Sequence, residues 1–277
     1  MAQNYSIESS LGGEISITTY GNENISSVPC IILVPGYQGF KDWGYSHYFA
    51  DYFVGHGFFV ITYNSSHNGI GKNKYEITET EKFADNTLSR EVLELKDIVN
   101  AYEKNSFGKI TTPRIGMVGH SRGGAISILG AWNSTSVKAV TTWGSISTFD
   151  RYSERQKDFW RKTGFFPTID AHTKRKLKHN LIALEDYEKH KNGLLNLEKA
   201  VSKLKKPLLI IHGKDDMIVK TKEAETLYGW ADKKTTRILI VDGTGHTFGC
   251  VHPFKGSNEK FDFILKTTLD FFDKYLK

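Results

Sequence analysis

Cysteine is scarce. Cys30 and Cys250 are the only two in 277 residues, which excludes a disulfide framework. They do not form a C-x-x-C pair, and neither H-E-x-x-H nor a P-loop occurs, so metalloprotease and nucleoside-triphosphate chemistry have no motif to stand on. Gly36 and Gly39 follow an apolar run but do not complete a G-x-G-x-x-G, which removes the dinucleotide reading. No cofactor and no metal are expected. No apolar run approaches the ~20 residues needed to span a bilayer. Met1-Ala2-Gln3-Asn4-Tyr5-Ser6 lacks the charged-then-apolar pattern of a signal peptide. These absences point to a cytoplasmic protein with no membrane partner. Internal repeats, low-complexity tracts and linkers between independent domains are also missing.

What is present is a regular alternation of strand-like and helix-like segments. Cys30–Val34, Phe58–Tyr63, Arg114–Val118, Val137–Trp143, the run from Leu208 and Ile238–Val241 are short apolar runs, as expected for parallel strands covered on both faces. Cys30 opens the first of these and reads as a small core residue. Helical patterns lie between the strands: Trp43–His56 ended by Gly57, and Leu88–Tyr102, whose Leu88, Val92, Leu95, Val99 and Tyr102 share one face. Asn86 is the candidate N-cap of the latter. A last helix runs from about Glu259 to Tyr275. Glu14–Tyr20 alternates apolar and polar residues and reads as an edge strand, paired with a short strand near Tyr5–Glu8. The pattern predicts an α/β fold, a mostly parallel central sheet with helices on both faces.

One stretch breaks the rhythm. Between Trp143 and Pro207 the chain is too long for a simple crossover. It begins with aromatics (Phe149, Tyr152, Phe159, Trp160, Phe165, Phe166) and continues, from about Thr173 to Lys206, as a charged helical pattern. The expected organisation is a core of residues 1–148 and 207–277 with an inserted helical cap at 149–206. Residues 151–206 hold 15 Lys+Arg against 7 Asp+Glu, whereas the rest of the chain is nearly balanced. A solvated helical face accounts for this surplus. A sharper expectation is that some of these cations draw an anionic small-molecule substrate. No nucleic-acid-binding motif accompanies them, so no nucleic-acid partner is expected.

The strongest local signal is Gly119-His120-Ser121-Arg122-Gly123, set between the strand-like Arg114–Val118 and a helical run from about Gly124. This is G-x-S-x-G in the context of strand, sharp turn and helix. Glycine at 119 and 123 is required because a Cβ there would strike the neighbouring strand or helix. The turn presents the Ser121 hydroxyl at a helix N-terminus, where backbone N–H groups favour developing negative charge. Two further strand ends carry partners: Ile211-His212-Gly213-Lys214-Asp215-Asp216, and Val241-Asp242-Gly243-Thr244-Gly245-His246.

A serine, a carboxylate and a histidine in that chain order, each after a strand, resemble an α/β-hydrolase and not the chymotrypsin or subtilisin arrangements. The resemblance is to the dienelactone hydrolase-like, prolyl-oligopeptidase-like and cinnamoyl-esterase-like branches. It runs from about Cys30 to the C-terminus, through Ile31–Tyr37 as oxyanion strand and loop, His212-Gly213-x-x-Asp216-x-x-Val219 as acid loop, and Gly245-His246-x-Phe248 as histidine loop. It implies Ser121 as nucleophile, His246 as base and Asp216 as the acid that orients it. The His-Gly-x-x-Asp spacing selects Asp216 over Asp215, and the histidine loop selects His246 over His252. Asp242 is too close to His246 along the chain. The resemblance also implies an oxyanion hole from the backbone N–H groups of Tyr37 and Arg122, with Pro35-Gly36 standing where His-Gly is common. His67 and Asn68, in the polar loop Asn64–Lys74, and Trp143 are candidate substrate contacts. The implied activity is hydrolysis of a carboxylic ester. A peptidase or amidase on the same residues, and a non-catalytic binding protein on the same scaffold, remain the alternatives.

Overall fold

The structure is a computed structural model and describes residues 2–277. In chain order the elements are β1 (Gln3–Glu8), β2 (Glu14–Tyr20), β3 (Cys30–Val34), α1 (Ser46–Gly55), β4 (Phe59–Asn64), α2 (Thr80–Ala84), α3 (Leu88–Glu103), β5 (Ile115–His120), α4 (Arg122–Trp132) and β6 (Val137–Trp143). There follow α5 (Glu154–Thr163), β7 (Phe165–Ile169), β8 (Lys176–Asn180), α6 (Leu181–His190), α7 (Leu197–Ser202), β9 (Leu208–Gly213), α8 (Thr221–Trp230), β10 (Thr236–Val241) and α9 (Glu259–Leu276).

Eight strands form one sheet in the order β1-β2-β4-β3-β5-β6-β9-β10. β1, β2 and β4 pair antiparallel, and β4 onward is parallel. The apolar runs are the inner strands: every residue of β3, β4 and β9 is buried. One face is covered by α3, α4, α7 and α8, through Leu95, Ile98, Ile128, Val201 and Leu227. The other is covered by α1 and α9, through Phe49, Phe53, Phe261, Ile264 and Phe272. At β5 the second layer comes unusually close. A Cβ on Gly116 would lie 2.7 Å from the Phe272 ring and 2.8 Å from Leu276, and the Arg114 guanidinium donates to the Leu276 carbonyl at 2.8 Å. Among the described residues no helix is long and apolar enough to cross a membrane.

Four sequence expectations are corrected. β2 is interior, between β1 and β4, and β1 is the edge; Ile15 and Ile17 are fully buried, so the alternation of β2 reports two covered faces of unequal polarity. Helix α1 begins at Ser46, because Trp43–Tyr45 forms a turn in which the Ser46 hydroxyl donates to the Trp43 carbonyl. The N-cap of α3 is Thr87, whose side chain accepts from the Arg90 N–H; Asn86 stands one residue earlier and donates to Glu91 instead. The segment between β6 and β9 contains an antiparallel hairpin, β7–β8, as well as helices. Within it α5 and α6 contact the hairpin, whereas α7 packs on α4 against the sheet.

Candidate active site

The elbow between β5 and α4 is set by backbone crowding. A Cβ on Gly119 would collide with the Gly123 carbonyl, and one on Gly123 with the Val34 and Pro35 carbonyls. Ser121 sits between them at φ 55°, ψ −122°, a strained conformation for a residue with a Cβ. Strain of this kind costs about 1–3 kcal/mol and persists only where the surroundings over-determine it. Here the Ser121 N–H donates to the Trp143 carbonyl at 2.8 Å and the Ser121 carbonyl accepts from Gly124 at 3.0 Å.

Strands β9 and β10 lie side by side, and their C-terminal loops carry the other two residues. A Cβ on Gly213 would come within 2.6 Å of the Gly245 carbonyl, and the Asp215 N–H donates to the Thr244 carbonyl at 3.0 Å. The two loops are thereby stitched together. His246 Nδ1 stands 2.7 Å from Asp216 Oδ2, and Asp216 is 3 % exposed. Asp215 is exposed. Burial opposes charge on Asp216, but hydrogen bonds from His212, His246 and the Val219 N–H hold its carboxyl well below the usual carboxylate range. His212 Nε2 lies 2.8 Å from the Val219 carbonyl and 3.3 Å from Asp216 Oδ2, the same oxygen that meets His246. With Nδ1 committed to Asp216, His246 Nε2 is the ring nitrogen without a protein partner. No hydrogen bond joins it to Ser121 in this structure; such bonds are often long before substrate binds.

His120, absent from the sequence reasoning, supports His246. Its Nε2 is 2.9 Å from the His246 carbonyl and the two rings are 4.7 Å apart. Burial, reinforced by the His246 charge, lowers its pKa to about 3, so it is neutral and donates that bond. Only its place inside the pentapeptide could have marked it.

The backbone N–H groups of Tyr37 and Arg122 donate to no protein acceptor among the described residues. Gly36 brings the Tyr37 loop against the elbow: a Cβ there would lie 3.1 Å from Ser121 Cβ. The Arg122 side chain pairs with Glu91 of α3 at 2.5 Å and lies 4.8 Å over the Tyr37 ring. Tyr37 Oη in turn reaches His179 Nε2 at 2.8 Å and Thr168 Oγ1 at 3.1 Å, both on the hairpin. Sequence spacing gave no hint of Glu91 or His179, which arrive from distant elements.

Two cavities meet at Ser121. One, of about 320 Å³, lies under α5 and α6 and is lined by Phe149, Tyr152, Trp160, Leu184 and Tyr187. The other, of about 410 Å³, is lined by Lys41, Trp43, His120, His172 and His246. Ser121, Tyr37 and Ile218 line both. The other candidates lie elsewhere. Trp143 is fully buried among α1 and α9 residues, its indole N–H bonded to Thr268 at 3.1 Å. It lines neither cavity. His67 accompanies Ser66 and lines neither cavity; Asn68 borders a separate space of about 20 Å³ shared with Pro35, Gly36 and Gly39. His252 accepts from the Gly44 N–H at 2.9 Å and stacks on Trp43.

Residues 105–252 match the family described as BAAT / Acyl-CoA thioester hydrolase C terminal, a span that includes Ser121, Asp216 and His246. Among solved structures, the chain is similar to Est1E from Butyrivibrio proteoclasticus (TM-score 0.68, 16% identity, 98% of each chain covered). It is similar to the alpha/beta hydrolase GrgF from Penicillium sp. sh18 (TM-score 0.71, 15% identity, 100% of this chain and 99% of that one). It is also similar to a dienelactone hydrolase from Anabaena variabilis ATCC 29413 (TM-score 0.61, 15% identity, 100% and 99%). At these identities the likeness establishes the α/β-hydrolase fold. No curated protein sequence matches.

Proposed function

Because the chain belongs to the BAAT / acyl-CoA thioester hydrolase C-terminal family, we propose that it is a serine hydrolase cleaving a carboxylic ester or thioester through an acyl-Ser121 intermediate. The observation that carries this reading is the 2.7 Å His246–Asp216 pair beside a serine at a strained elbow, all within the family match. In it, His246 Nε2 takes the Ser121 proton as Oγ attacks the carbonyl carbon. The ionised Asp216 stabilises the imidazolium and fixes its tautomer. The free N–H groups of Tyr37 and Arg122 receive the oxyanion, an arrangement in which one donor is worth about 3–4 kcal/mol. Collapse of the tetrahedral species expels the leaving group with the proton from His246, and water then releases the acid by the reverse steps.

The test is turnover of p-nitrophenyl esters, matched acyl thioesters and a matched arylamide by wild type, Ser121→Ala and His246→Ala. Ester or thioester rates about 10⁴-fold lower or more in both variants are expected, with a phosphonate probe labelling Ser121 in wild type. Cleavage of the arylamide alone would move the reading to a peptidase or amidase. Silence on all three substrates, with no labelling, would leave a binding scaffold.

A further inference from the structure

The two cavities are not equivalent with respect to His246, and the mechanism makes that difference decisive. After Ser121 Oγ bonds to the carbonyl carbon, four groups surround that carbon: Oγ, the oxyanion, the acyl substituent and the leaving heteroatom. The oxyanion points to the Tyr37 and Arg122 N–H groups. When the carbon–heteroatom bond breaks, its electron pair goes to the heteroatom, which takes the proton from His246 Nε2. The heteroatom must therefore lie within hydrogen-bond reach of His246. His246 and its support His120 line the 410 Å³ cavity and not the 320 Å³ one.

From this, and resting on the acyl-Ser121 reading above, we propose that the substrate is divided at Ser121. The leaving group occupies the cavity of Trp43 and His172, and the acyl group occupies the cavity of Trp160 and Tyr187. The walls then define the substrate class. Buried Phe149, Trp160 and Leu184 form the inner wall of the acyl cavity. Its charged groups are already matched: Arg122 with Glu91, Arg151 with Glu223, Lys157 with Asp150 and Glu154. An anionic acyl terminus finds no unpaired cation there and would lose its hydration. The acyl group is thus uncharged and fits a cavity of about 320 Å³. The leaving-group cavity ends at the hairpin turn, where Ala171 and His172 are exposed. A leaving group larger than the cavity continues past them into solvent. The substrate is an ester or thioester of a compact uncharged acid with an extended leaving group.

Two substrate series test this on the full chain: acyl length varied with one leaving group, and leaving-group length varied with one acyl group. In wild type, kcat/KM should collapse beyond a limiting acyl length and show no such limit for the leaving group. Ala183→Trp, which narrows the acyl cavity from α6, should cut the ratio of long-acyl to short-acyl rates by about 10-fold or more. It should also change the deacylation rate constant in burst experiments, because the leaving group has departed by then. Ala171→Trp should leave the acyl ratio within about twofold and shift the leaving-group dependence instead. The reverse pattern, or a leaving-group limit as sharp as the acyl limit in wild type, would overturn the division while turnover still depended on Ser121. Turnover that survives Ser121→Ala would overturn the underlying reading as well. The wild-type series alone decides the matter if either tryptophan variant fails to fold.

Discussion

Strand β5 and the hairpin β7–β8 stand on opposite sides of Ser121 and are held by different means. β5 is paired on both edges by parallel strands, and its last turn is pinched between backbone carbonyls at Gly119 and Gly123. The hairpin belongs to no larger sheet, and its two strands bury only Leu177 and His179. It is tied to the layer below by side-chain hydrogen bonds: Tyr37 to Thr168 and His179, Gln38 to the Ile169 carbonyl and the Ala171 N–H, Asn180 to Asp85. Backbone crowding offers no compliant partner, whereas each polar tie contributes about 1 kcal/mol and can be exchanged for another. The geometry at Ser121 is therefore insulated from the hairpin wall.

The largest test of that contrast is Gly123→Ala. The new methyl group meets only backbone, so a loss of about 3 kcal/mol or more is expected. For a chain of this size that is a fall in Tm of roughly 6–12 °C, with turnover lost. Gly229→Ala, in α8 with open space around it, should instead raise stability by up to about 1 kcal/mol. Equal effects in thermal unfolding would show that the elbow is more compliant than its contacts imply.

Acidification should strain both regions at once. His120 under the elbow and His179 in the hairpin have pKa values lowered by burial to about 3 and about 4. A histidine depressed in the folded state is protonated first in the unfolded chain, so stability falls as pH drops below about 6.5 toward those values. Between pH 7 and 5 each contributes a loss of at most about 2 kcal/mol. Asp216, also depressed, keeps its charge throughout this window. Denaturant midpoints for wild type, His120→Gln and His179→Gln should show flatter pH dependence in each variant. A slope unchanged in both would refute the assignment.

The smallest effect belongs to Tyr37→Phe. It keeps the ring beneath the Arg122 guanidinium and removes both ties to the hairpin, at about 1 kcal/mol in stability and less than tenfold in kcat/KM. A defect as deep as that of Gly123→Ala would mean that the hairpin does position the oxyanion loop.

The same contrast explains what could be read from the chain. The inner strands were legible because strands buried on both faces have no polar positions to disguise them. The elbow was legible because crowding leaves glycine no substitute, and the acid-loop spacing of the family resemblance pointed to Asp216, the carboxylate that lies against His246, rather than Asp215. The hairpin was hidden. Lys176-Leu177-Lys178-His179 alternates over too few residues to outweigh a helical reading, Pro167 interrupts its partner strand, and its turn uses Lys174 at φ 60° where glycine or asparagine would have signalled it. Asn86 and Thr87 are both good caps, and the choice between them was settled by Glu91, which draws Asn86 away. Trp143 was misplaced because a strand's end does not say which face its last side chain takes.

The contact of Gly116 with Phe272 and Leu276 has a bearing on how the chain is made. The central strand is sealed on one side by residues that a ribosome adds about 150 positions later. Until α9 packs against it, β5 exposes an apolar flank at Gly116.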